Sequence, residues 1–167
     1  MRNLFLLLLP ALLLSCTNQK GQVQKPADTT RNQAAPGSVL IASDIVTDII
    51  INPDKEGDPW NIEKVAGYKG DAMINAIFDR VYDGSLTVYD YHTGEPMTIK
   101  AIKEIEKEYS NDRTKIGKLS FTEDWYYNPA DNTITKTTKS IVLGYELYDN
   151  NGKVYGYKAA FKADFGK

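Results

Sequence analysis

The sequence predicts an α+β fold, with two amphipathic helices packed on an antiparallel β-meander in a single small domain. Three observations predict it. Two stretches, "GDAMINAIFDRVYDG" and "MTIKAIKEIEKEY", repeat apolar residues at helical spacing. The last fifty residues instead alternate apolar and polar side chains, as strands do. Asn151-Gly152 supplies a hairpin signal, since both residues tolerate the positive φ angles of a type I′ turn. Helices followed by a run of turn-linked strands define the class.

The chain begins with a segment that this fold does not need. Arg2 is followed by an apolar run from Leu4 to Leu14, broken only by Pro10. That run suits a signal-peptide core and is too short for a bilayer, which needs about 20 residues. It ends in Leu13-Leu14-Ser15-Cys16, a pattern that resembles a bacterial lipobox. In such lipoproteins the cysteine becomes the mature N-terminus and carries lipid. Cys16 is the only cysteine in the chain, so a disulfide within one copy is excluded. Thr17 follows it, where an inner-membrane lipoprotein often carries Asp. The expected location is therefore the outer membrane, lipid-anchored and on the periplasmic face.

Residues 16–37 are rich in Gln, Thr, Asn, Pro and Gly, with Val23 as the one large apolar residue. Such a segment cannot offset its ordering entropy by burial and is read as a tether. The domain organisation is thus a signal peptide over 1–15, a tether over 16–37 and a globular domain over 38–167.

Within the domain, Val39 to Ile51 is β-branched and apolar, and periodicity leaves strand and helix equally open. Asn52 to Trp60 reads as a loop because it holds two prolines and a glycine. Met73, Ile74, Ile77, Phe78 and Val81 then share a helix face, with Asp71 as N-cap and Gly84 as the stop. "SLTVYDY" suits a short strand and "HTGEP" a turn. Ile99, Ile102, Ile105 and Tyr109 define a second helix face, N-capped by Thr98. In "KLSFTEDWYYN", Leu119, Phe121, Glu123, Trp125 and Tyr127 alternate onto one side. Trp125 is read as a core anchor beneath the helices, together with Phe121, Phe78 and Ile77. "PADNT" is a turn before a long strand.

Composition narrows the function. A net charge of −2, with bases scattered among acids, argues against nucleic acid as a partner. One histidine, His92, and one cysteine do not make an ordinary zinc site. No nucleophile–base motif, P-loop or HExxH stands in the chain, so neither catalysis nor a cofactor is expected. Eleven tyrosines against five phenylalanines tilt the domain toward half-wet aromatic positions. Tyr126, Tyr148, Tyr155 and Tyr157 cannot all face a core, and exposed tyrosines are typical of interfaces. They are the candidate partner-binding residues, with stacking on a glycan at Tyr126 as the alternative.

The order of segments also resembles the GldN/PorN family. The resemblance rests on Gly84 leading into Thr87-Val88-Tyr89-Asp90, then Glu123-Asp124-Trp125 with Tyr126 and Tyr127, Ile141 to Gly144, and Asp149 to Gly152. It covers roughly Ile62 to Phe161. It implies a non-enzymatic structural partner of other envelope proteins in the outer-membrane-associated machinery of gliding motility and type IX secretion. The chain departs from family members in two ways. A lipobox and tether replace their longer N-terminal region, and the chain ends before their aromatic tail.

Overall fold

A computed structural model describes residues 34–54 and 57–165. The expected signal peptide, Cys16 and the expected tether up to residue 33 lie outside the described residues. The chain forms a mixed structure, with three α-helices among the described residues and a five-stranded antiparallel sheet. Its elements are β1 (Val39–Ile50), α1 (Pro59–Lys64), α2 (Gly70–Tyr82), β2 (Val88–Tyr89), α3 (Ile99–Glu108), β3 (Ile116–Asn128), β4 (Thr133–Tyr148) and β5 (Val154–Asp164). The strand order is β1-β3-β4-β5-β2.

The segment that periodicity left open, 39–51, is a strand over Val39–Ile50, as its β-branched content favours. It pairs antiparallel with β3, from Val39 opposite Tyr127 to Ile50 opposite Lys118. Helix α1 corrects the expected loop. Pro59 stands in its first turn and the Asp58 carboxylate caps the Trp60 amide at 3.0 Å. One and a half turns are too few to show a period.

α2 buries Ile74, Ile77, Phe78 and Val81. Its cap differs from expectation: Lys69 holds the N-cap position without a side-chain bond, and Asp71 lies in the first turn. There its charge still complements the helix dipole. Gly84 takes φ +79° just past the end, where a side chain would be strained. α3 begins at Thr98, whose hydroxyl accepts from the Ala101 amide at 3.2 Å. It buries Ile102 and packs Ile105 against the core, while Ile99 stays exposed.

The core lies between α2, α3 and one face of the sheet. Leu119, Ile141, Leu143, Tyr145, Phe161 and Ala163 meet Ile74, Ile77, Phe78 and Ile102 there. Full burial of each large side chain stabilises by about 1.5–3 kcal/mol. Phe78 and Phe161 meet edge to face at 5.1 Å, and Tyr145 stacks on Tyr109 at 3.9 Å. Burial pushes the Tyr145 phenol well above the usual tyrosine range, and the nearby Glu106 charge adds to it.

Two expectations fail here. Trp125 is not part of this core. β3 is 13 residues long, and the buried cluster reaches only Phe121, which packs half-buried at its margin. Trp125 has the right facing but lies beyond the cover of the helices. The hairpin between β4 and β5 is also not a two-residue type I′ turn. Of Asn151 and Gly152 only Gly152 has positive φ, at +77°. The Asp149 carboxylate accepts from the Asn151 and Lys153 amides, both at 2.9 Å, and holds a wider loop.

Candidate partner-binding surface

Past the helix-covered core, the sheet continues as a three-stranded arm. It comprises the first half of β1, the second half of β3 and the first half of β4. Register places Val39, Tyr127 and Ile134 in one row and Leu40, Tyr126 and Thr135 in the next. Val39, Leu40, Ile41, Val46 and Ile134 are each at least 50% exposed. Val39 and Ile134 share a row on the helix side of the sheet, whereas Leu40 and Val46 lie on its other face. These side chains therefore flank the β1 edge, and an exposed apolar edge strand is open to pairing.

The arm is shaped by bulges on both sides of β3. β1 carries an extra residue between Ala42 and Ile45, and β4 carries one opposite the Thr122–Glu123 step. Asp44 takes φ +55° in the first bulge, which suits Asp better than most residues. The two distortions bring three charges together. The Asp44 amide donates to Asp124 Oδ1 at 3.0 Å, and Lys139 Nζ lies 2.6 Å from Asp44 Oδ1 and 3.6 Å from Asp124 Oδ1. This cluster pins the arm at its root. Sequence reading missed it; the only signal was an acid, Asp44, inside an apolar strand.

On the helix side of the arm, Glu123 is buried and accepts from Thr47 Oγ1 at 3.2 Å and Trp125 Nε1 at 3.3 Å. Lys136 lies 3.7 Å from the same carboxylate and 4.2 Å from the Trp125 ring centre. Glu123 thus anchors the indole, and the lysine covers one ring face. The arm's tip is tied by Tyr127, whose hydroxyl donates to Asn132 Oδ1 at 2.7 Å, and by the Asn128 carboxamide oxygen, which accepts from the Ala130 amide at 3.0 Å.

The four candidate tyrosines do not come together. Tyr126 stands on the arm, facing away from Trp125. Tyr148, Tyr155 and Tyr157 stand at the opposite end of the sheet, beside the β4–β5 loop. Tyr155 is the most exposed of them, at 69%. Tyr148 donates its hydroxyl to buried Glu146. That hydrogen bond, with some burial and the Glu146 charge, pushes the Tyr148 phenol up to about 12. A phenol whose folded pKa exceeds its unfolded value stabilises the fold below the unfolded value. The contribution is lost as pH rises from near 10 through about 12. Ultraviolet titration of tyrosinate should therefore show late-ionising phenols, one of which is lost in Tyr148→Phe while Tyr145 remains. An unchanged titration curve would remove this assignment.

His92 is exposed in the turn before α3, where Asp90 Oδ1 accepts from the His92 and Thr93 amides at 2.9 and 2.8 Å. Among the described residues no group of three His, Cys, Asp or Glu side chains is placed to hold a metal ion. No helix among them is long and apolar enough to cross a membrane. No protein-family model matches the chain, and no curated protein matches it either.

Proposed function

We propose that this protein is a lipid-anchored, non-enzymatic adaptor of the bacterial envelope that docks a partner protein along β1 and the arm. The observation that carries this reading is the edge strand β1, with Val39, Leu40, Ile41 and Val46 exposed along it and Ile134 exposed beside it on the arm. In this reading two amphipathic helices, α2 and α3, on the β3–β4–β5 meander form a rigid base. The arm reaches out from it, and lipid at Cys16 holds the whole at the periplasmic face of the outer membrane. The resemblance to the GldN/PorN family supports an assembly of the gliding-motility and type IX secretion kind.

The partner is an extended, apolar segment with basic residues that adds a strand to β1. β1 is a sheet edge, and Ile45 to Ile50 run in unbroken register beside β3, so their outer side suits strand addition. Its charged residues are Asp44 and Asp48, with no base among its 12 residues. Two copies paired edge to edge would set acids against acids, which disfavours self-association. Asp44 and Asp48 pair with Lys139 and Lys118, so a basic strand would share these carboxylates.

Val46 gives a clean test because its side chain projects into solvent. Natural edges are blocked by lysine. Val46→Lys should release the partner captured by in-cell photo-crosslinking from position 39 and leave the melting temperature within a few degrees. Val46→Asp should retain it. Cys16→Ser should shift the folded protein out of the membrane fraction. Equal capture by both Val46 variants, or a captured peptide that is acidic, would end this reading.

A further inference from the structure

We propose that the sheet face turned away from α2 and α3 carries a glycan-binding groove centred on Tyr157, separate from the arm. The adaptor reading uses the outer edge of β1, whose Asp48 also borders this face, and the inference is tested apart from it at Tyr91 and Tyr157. Three depressions meet at the Tyr157 side chain. One of about 400 Å³ is lined by Tyr91, His92, Lys118, Ser120, Gly144 and Tyr157. A second of about 170 Å³ adds Asp48 with Asn61 and Lys64 of α1. The third, near 600 Å³, continues past Asn61 toward Asn151 and Tyr155.

The floor is hollow because of two small residues. Lys118, Gly144 and Ala159 lie side by side in register across β3, β4 and β5. Glycine in a strand interior weakens the strand and marks a close approach. A Cβ at 144 would come within 3.3 Å of Tyr157 Cβ and 3.4 Å of Lys118 Cβ, so any side chain there would crowd the groove. From β5 to β1 the groove crosses three interstrand spacings, about 14 Å.

The walls supply the chemistry a sugar needs. Tyr91 is 56% exposed, stands edge to face with His92 at 5.2 Å and lines the depression beside the floor. Tyr157 forms the middle. Flat aromatic faces stack on the C–H faces of pyranose rings, while Asn61, Ser120 and the tyrosine hydroxyls offer hydrogen bonds. The central charges cancel: Lys118 Nζ lies 2.8 Å from Asp48, which also accepts from Ser120. Across the three depressions the bases Lys64, Lys118, Lys153 and Lys158 are interspersed with the acids Asp48, Asp54 and Asp58. This near balance disfavours a polyanion and suits uncharged N-acetylated sugars.

The test uses the full chain purified in detergent, with chitotetraose and peptidoglycan sacculi as probes. Saturable binding of chitotetraose is expected. Tyr91→Ala and Tyr157→Ala should each weaken it roughly tenfold, the size of a modest aromatic anchor. Val46→Lys should bind as the unaltered chain does. Absence of saturable binding at millimolar chitotetraose overturns the proposal. So does binding that survives both tyrosine changes, or sedimentation with sacculi that Val46→Lys abolishes, which would assign it to the β1 edge.

Discussion

Replacing Phe78 with alanine is expected to destabilise the domain by about 3–5 kcal/mol, the usual cost of removing a buried aromatic ring. Phe78 is fully buried. Its ring meets Phe161 of β5 edge to face at 5.1 Å and Tyr82 at 6.2 Å, and the Arg113 guanidinium lies over it at 4.2 Å. It is therefore the point where α2, β5 and the turn before β3 are joined. Small domains have only about 5–15 kcal/mol of stability in total, so one such loss is a large share of it. Urea unfolding should show a lower midpoint with an unchanged slope. Phe78→Leu, which keeps much of the volume, should cost clearly less. A Phe78→Ala midpoint that corresponds to under about 1 kcal/mol would mean that the helices do not pack as described.

That core was the most legible part of the sequence. α2 and α3 show because a buried helix face repeats over several turns, and because Thr98 is a cap of ordinary chemistry. β1 was ambiguous for a physical reason: an apolar, β-branched run fits a strand buried on either face and a short helix alike. α1 was invisible because Pro59–Lys64 is too short to carry a period. The Trp125 error is of a different kind. Alternation places Trp125 on the same side as Leu119 and Phe121, and that facing is right. How far the helices extend over the strand depends on tertiary packing, which alternation does not encode. The β4–β5 turn misled because Asn-Gly is a strong local signal, yet Asp149 accepts two amides at 2.9 Å and selects a longer loop.

The candidate surfaces were legible only in part. The abundance of tyrosine pointed to exposed aromatics, but residues near in sequence were divided between two ends of the sheet. The Asp44–Lys139 contact spans 95 positions, and it exists only because two bulges on different strands fall at one level. No local pattern announces that coincidence. The groove at Tyr157 likewise depends on Gly144 and Ala159 meeting across strands, where each alone reads as an unremarkable small residue.

Replacing Arg113 with methionine is the second change expected to be severe, at about 3–5 kcal/mol, because it strands a buried charge. Glu106 of α3 is 6% exposed, and Arg113 Nε lies 2.6 Å from its Oε1. Arg113 also donates from Nη1 to Asn75 Oδ1 of α2 at 3.0 Å. One guanidinium thus joins both helices while its flat face covers Phe78. Arg113→Lys should recover little, since an ammonium cannot make the two directed bonds and cover the ring at once. Removing both charges is a different matter. A buried pair contributes little beyond its own desolvation, so Arg113→Met combined with Glu106→Leu should regain most of the loss. Urea unfolding of the two single variants and the double variant measures the coupling directly. A single Arg113→Met costing under about 1 kcal/mol would show that Glu106 finds solvent when its partner goes. A double variant no better than the single would show instead that the loss comes from packing on Phe78, with the ion pair as a bystander.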